Sequence, residues 1–217
     1  MGSLPSVPSG TLSKTVAKML RFWSFGGVVA TYRQTLRELA FDTHGVVTLA
    51  AAREAGVPAF SLRQLAKRGA LARLGKGVYR MNEVPRGPLD EFAEAVALVG
   101  EEAVLADEAV LAAHDLAQIN LRRIKVATPA PSRVRQELPG IVEVVRRRVP
   151  LSDQDAIDGI PAMSIPAALV ASIGRVMNER LLAAAEQAKV RGLISGAEAE
   201  RAVQAINQSA SKEGCAT

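Results

Sequence analysis

Residue types capable of chemistry are scarce in this chain of 217 residues, and where charged groups are dense they are cationic. Its two histidines, His44 and His114, lie about 70 residues apart, and neither has a second His, a Cys or a Glu at metal-ligand spacing. His44 closes a helical pattern just before a glycine, a capping or surface position; His114, beside Asp115, could join it in a buried polar pair. The single cysteine, Cys215, has no intrachain partner, which excludes a disulfide scaffold and a cysteine-rich zinc site and fits a reducing compartment. There is no GxxxxGK phosphate loop, no GxSxG elbow and no cysteine nucleophile. Asp107, Glu108 and Asp115 could approach a cation, but carboxylates on a helix ordinarily face solvent. No catalytic residue, metal site or cofactor is therefore assigned, and an enzyme is not expected.

The dense charge lies in residues 61–80, SLRQLAKRGALARLGKGVYR. At 100° per residue, Leu62, Leu65 and Ala66 share one helix face, while Arg63, Gln64, Lys67 and Arg68 lie on the opposite arc with Ser61 at its edge. These side chains could contact base edges or phosphates. Beyond Gly69, the segments Leu71–Leu74 and Val78–Met81 flank Gly75-Lys76-Gly77, a tight-hairpin pattern that carries Arg73, Lys76 and Arg80. Tyr79 fits either the core of that hairpin or a phosphate contact.

The elements that position this stretch are legible upstream. Tyr32, Leu36, Leu39 and Ala40 recur at helical spacing, and Gly45-Val46-Val47 reads as a stub of strand. Thr48 caps a short helix, Leu49–Ala55, which Gly56 ends and Pro58 keeps from continuing; a second helix runs from about Pro58 to Gly69. Helix, strand stub, two short helices and a hairpin make a winged helix-turn-helix over residues 30–84. Such a module lays its second short helix in the major groove and its wing on the phosphate backbone. The expected DNA-facing set is Ser61, Arg63, Gln64, Lys67, Arg68, Arg73, Lys76, Tyr79 and Arg80.

Charge changes sign along the chain. Residues 1–88 hold 13 Lys and Arg against 4 Asp and Glu, and residues 89–217 hold 14 against 18. A basic half suited to a polyanion precedes a half with another task. Residues 1–29 read as a disordered lead or extension. The apolar run Phe22–Ala30 is far short of the roughly 20 residues that span a bilayer, so no membrane association and a cytoplasmic location are expected. After a joint at residues 82–88, a C-terminal domain over 89–210 is expected to be mixed α/β, giving an α+β chain overall. Asp90–Asn120 reads as two helices, 122–128 and 141–149 as strands, and 165–206 as alanine-rich helix broken at Gly192–Gly196. Strand alternation sends Arg146 and Arg148 to one face and Arg147 to the other. The three arginines read either as a partner surface or as an edge strand defended by charge.

Together these motifs resemble the AbiEi antitoxins of bacterial toxin–antitoxin pairs. The resemblance is carried by GVVTLAAAREAGVPAFSLRQLAKRGALARLGKGVYR at 45–80, AVLADEAVLAAHDLA at 103–117, LPGIVEVVRRRV at 138–149 and DGIPAMSIPAALVASI at 158–173. Pro166-Ala167-Ala168 stands where the family often has an arginine. The alanine- and arginine-rich composition points to the mycobacterial branch. The resemblance implies a winged helix that represses its own operon at operator DNA and a C-terminal domain that neutralises a nucleotidyltransferase-fold toxin. The competing expectations are a winged helix used for docking a protein and a stand-alone transcriptional regulator. Oligomeric state, operator sequence and toxin-contacting residues are not legible.

Overall fold

A computed structural model describes residues 31–129 and 140–213. The expectations for residues 1–29, most of the Pro129–Ser132 turn and Cys215 lie outside these. The N-terminal elements are α1 (Tyr32–Phe41), β1 (Val46–Thr48), α2 (Leu49–Glu54), α3 (Ala59–Lys67), β2 (Leu71–Gly75) and β3 (Val78–Met81). The Thr48 hydroxyl accepts the Ala51 N–H at 3.1 Å, which satisfies one of the orphan donors at the start of α2. Gly56 and Gly69, at φ +75° and +77°, supply the left-handed turns after α2 and α3. The three strands form an antiparallel sheet in the order β1-β3-β2, with a bulge between Arg73 and Gly75. Leu36, Val47, Ala52, Leu62, Leu71, Tyr79 and Met81 make its core. This is a winged helix-turn-helix.

The C-terminal elements are α4 (Asp90–Val99), β4 (Val104–Leu105), α5 (Glu108–Ala113), β5 (Ile124–Thr128), β6 (Val142–Arg146), β7 (Gln154–Ile157), β8 (Ile160–Met163), α6 (Ile165–Ala171), α7 (Asn178–Val190) and α8 (Gly196–Glu213). A mixed five-stranded sheet in the order β6-β5-β4-β8-β7 is packed by helices around Leu105, Val110, Leu111, Leu116, Val126, Leu169, Leu181 and Ile206. The chain is thus α+β, a winged helix followed by a mixed α/β half.

Three features depart from the expected elements. A two-residue strand, β4, separates the two helices of Asp90–Asn120 and occupies the centre of the larger sheet. It is too short to show alternation, and burial on both faces removes the polar half of any pattern. The β7–β8 hairpin turns at Asp158-Gly159, both at positive φ, an Asp-Gly signal. The strand at 141–149 stops at Arg146.

The winged helix does not present two free faces. Along β3, Tyr79 and Met81 point into the winged-helix core, whereas Val78 belongs to the core of the C-terminal half and Arg80 meets α4. All four residues are buried. Alternation gives the sheet two faces, and α4 covers the second.

Candidate nucleic-acid interface

The α3 residues expected to face outward do so: Arg63, Gln64, Lys67 and Arg68 are exposed, and Leu62 is fully buried on the opposite side. Two backbone links fix α3 to the hairpin, Ala70 N–H donating to Leu65 O and Asn82 N–H to Ala70 O. The Asn82 side-chain amide also donates to Gly69 O at 2.8 Å. At the wing, Arg73 and Lys76 are exposed, and Arg73 Nε donates to Gly75 O at 3.2 Å. None of Arg63, Lys67, Arg68, Arg73 or Lys76 is ion-paired with a carboxylate among the described residues. Other cations of this half are paired: Arg33 and Arg37 of α1 meet Glu83, and Arg86 meets Glu94. Five unneutralised cations on α3 and the adjoining hairpin are what a polyanion would find.

Three members of the expected set are not available. Ser61 is buried beside Leu62 on the inner side of α3. Tyr79 is 8% exposed and lies in the winged-helix core, which decides between its two expected roles. Arg80, expected on the phosphate backbone, is 4% exposed, and its guanidinium is used up internally. One Nη reaches Asp90 Oδ2 at 2.6 Å; the other reaches Glu94 Oε1 at 3.1 Å and the His44 carbonyl at 3.1 Å. The physical reason is strand parity: Arg80 shares a face with Val78, and α4 covers that face with two carboxylates.

One exposed residue of the site was absent from the expected set. Phe60, in the first turn of α3, is 55% exposed. It precedes Arg63, Gln64 and Lys67 by three, four and seven positions, so all four fall within an arc of about 100°. That spacing was present in the sequence; an apolar residue at a helix start reads there as core.

Arg146 and Arg148 are exposed, but Arg147 is not free for a partner. Its Nη2 donates to Asp107 Oδ1 at 2.5 Å, and Arg175 Nη2 donates to Asp107 Oδ2 at 2.7 Å. The neighbouring Glu108 is held by Lys125 at 2.6 Å. Asp107, 1% exposed, thus lies between two guanidinium groups, which correct the expectation of a solvent-facing carboxylate. Beyond the end of β6, Arg147 N–H continues the ladder to Thr128 O, and its side chain turns towards Asp107. Among the described residues no three His, Cys, Asp or Glu side chains converge in a way that could hold a metal ion. Nor is any described helix long and apolar enough to cross a membrane.

His44, at φ +53°, is not a free surface group: its Nε2 lies 2.9 Å from the Asp158 carbonyl oxygen. His114 does not pair with Asp115. Burial first, and then the Arg191 guanidinium, hold its imidazole below the ordinary value, against a smaller opposing effect of Asp155.

No curated protein matches the chain. Among solved structures, the crystal structure of the RV2827C protein from Mycobacterium tuberculosis is similar with a TM-score of 0.41 and 19% identity, over 78% of this chain and 79% of that one. Residues 34–82 match the family model described as "Transcriptional regulator, AbiEi antitoxin", a span from within α1 to the residue after β3. The likeness to that family spans about a quarter of the chain and is confined to the winged helix.

Proposed function

We propose that this protein is a non-catalytic antitoxin that represses its own operon, placing α3 in the major groove of operator DNA and the β2–β3 wing on the backbone beside it. The observation that carries the reading is the set of five exposed cations without carboxylate partners, Arg63, Lys67, Arg68, Arg73 and Lys76, on a winged helix that matches a regulator family. Arg63, Gln64 and Lys67 serve base edges and nearby phosphates; Arg73 and Lys76 serve the backbone. Neutralisation of a cognate nucleotidyltransferase toxin is the task of the C-terminal half, with Arg146 and Arg148 facing that partner. A cytoplasmic location goes with this function.

The test is gel retardation of the DNA upstream of the reading frame across a salt series. Five phosphate contacts give a log–log slope of about −4.5, a loss of roughly 500-fold in affinity between 50 and 200 mM salt. A slope near zero, or binding unchanged in an Arg63→Ala, Lys67→Ala double variant, would overturn the DNA reading. Co-expression with a toxin of the proposed nucleotidyltransferase class, should one be encoded beside this reading frame, tests the second half: growth is rescued by the wild type and fails with Arg146→Glu, Arg148→Glu. Rescue undiminished by that double variant would remove those arginines from the toxin surface.

A further inference from the structure

Building on the DNA reading above, we infer that Phe60 is a specificity residue that reads the C5-methyl group of thymine, so that the preferred duplex carries a thymine at the step facing the start of α3. Phe60 lies in the N-terminal turn of α3, the part of such a helix that penetrates deepest towards base edges. The residue is 55% exposed and shares one arc with Arg63, Gln64 and Lys67, all exposed. A single exposed aromatic is unremarkable on most surfaces. Here it stands among cations that would hold it against DNA, where the charged phosphates offer an apolar ring nothing. The one apolar group that the major groove presents is the thymine methyl, and phenylalanine is among the side chains that contact it. Gln64, four residues on, carries the amide that pairs with adenine in its N6 and N7 positions, which complements a thymine-containing step. The ring is not needed for the fold, because the winged-helix core closes around Leu36, Leu62 and Met81 without it.

The experiment uses the full chain. Duplexes selected by the wild type from a random-sequence pool are resynthesised with deoxyuridine in place of thymidine, which removes the methyl groups and leaves every hydrogen-bonding edge intact. Wild type is expected to bind the thymidine duplex roughly fourfold more tightly for each methyl group contacted, the value of burying one such group. Phe60→Ala should bind both forms alike, and Phe60→Leu should recover part of the preference. Equal thymidine and uridine affinities in the wild type, or a preference that survives Phe60→Ala, would overturn the inference while leaving salt-dependent duplex binding, and so the DNA reading, in place. Failure of the wild type to enrich any duplex would instead sink both, with Phe60 then left as part of a protein-docking face. Circular dichroism and a thermal melt of each variant confirm that the substitution left the fold unchanged.

Discussion

Replacing Arg80 by alanine tests the finding that separates it from the other basic residues of the wing. The substitution strands Asp90, 3% exposed, and Glu94, half-buried, without the guanidinium that they share, and leaves the His44 carbonyl short of a donor. Breaking a buried ion pair from one side costs about 3–5 kcal/mol, because the surviving charge stays out of water. For a chain of this size each kcal/mol moves the midpoint by roughly 2–4 °C, so Arg80→Ala should melt about 6–20 °C below wild type. Lys76→Ala, at the exposed tip of the same hairpin, should stay within about 0.5 kcal/mol of wild type and lower DNA affinity instead. Urea denaturation of both variants measures the contrast. A triple variant, Arg80→Met with Asp90→Asn and Glu94→Gln, removes the charges as a set and should recover much of the loss. The reasoning fails if Arg80→Ala unfolds within 1 kcal/mol of wild type, or if the companion substitutions make it worse.

Other perturbations probe separate parts of the molecule. Gly45→Ala places a Cβ about 3.1 Å from the Arg80 guanidinium carbon at φ +80°, and should cost about 1–2 kcal/mol from the left-handed backbone alone, measured by urea unfolding. Asp107→Ala should destabilise the C-terminal half by leaving Arg147 and Arg175 without their shared carboxylate, and an added Arg147→Met should offset part of that loss. The folded-state pKa of His114 lies below its ordinary 6.5, so the unfolded chain binds more protons and stability falls as pH drops below 6.5. His114→Gln should flatten the lower part of the stability–pH curve, read by urea midpoints between about pH 7 and 5. On the β7 edge, Asp155 Oδ1 accepts the Ala156 N–H at 2.8 Å and Gln154 N–H donates to Leu151 O, so two outward donors of that edge are satisfied locally. Asp155→Ala exposes one of them and should raise concentration-dependent association in sedimentation velocity.

The winged helix is welded to the C-terminal half. Val46 and Val78 contribute to the larger core, Arg80 is clamped by α4, and the Asp158 carbonyl meets His44 across the chain. At Gly75 an added Cβ would fall 2.6 Å from Leu98 Cδ2, so the wing strand lies close against α4. A wing bonded in this way cannot swing independently of the half beside it, and whatever shifts α4 acts on the β-sheet that supports the wing.

Local chemistry made much of the N-terminal half legible in advance. Thr48 as a cap, Gly56 and Gly69 as left-handed stops and the Gly-Lys-Gly hairpin are each set by the conformational limits of one or two residues, and each stands where expected. Arg63, Gln64, Lys67 and Arg68 were placed by helical periodicity, which needs only the buried Leu62 opposite them. Tertiary structure decided the rest. Parity placed Arg80 opposite Tyr79, but only the packing of α4 shows that this second face is covered and its charge consumed. Arg147 met the same fate at Asp107, 40 residues away in sequence. A sequence records which side of an element a residue occupies; what lies against that side depends on contacts between distant segments, and those exist only once the chain has folded.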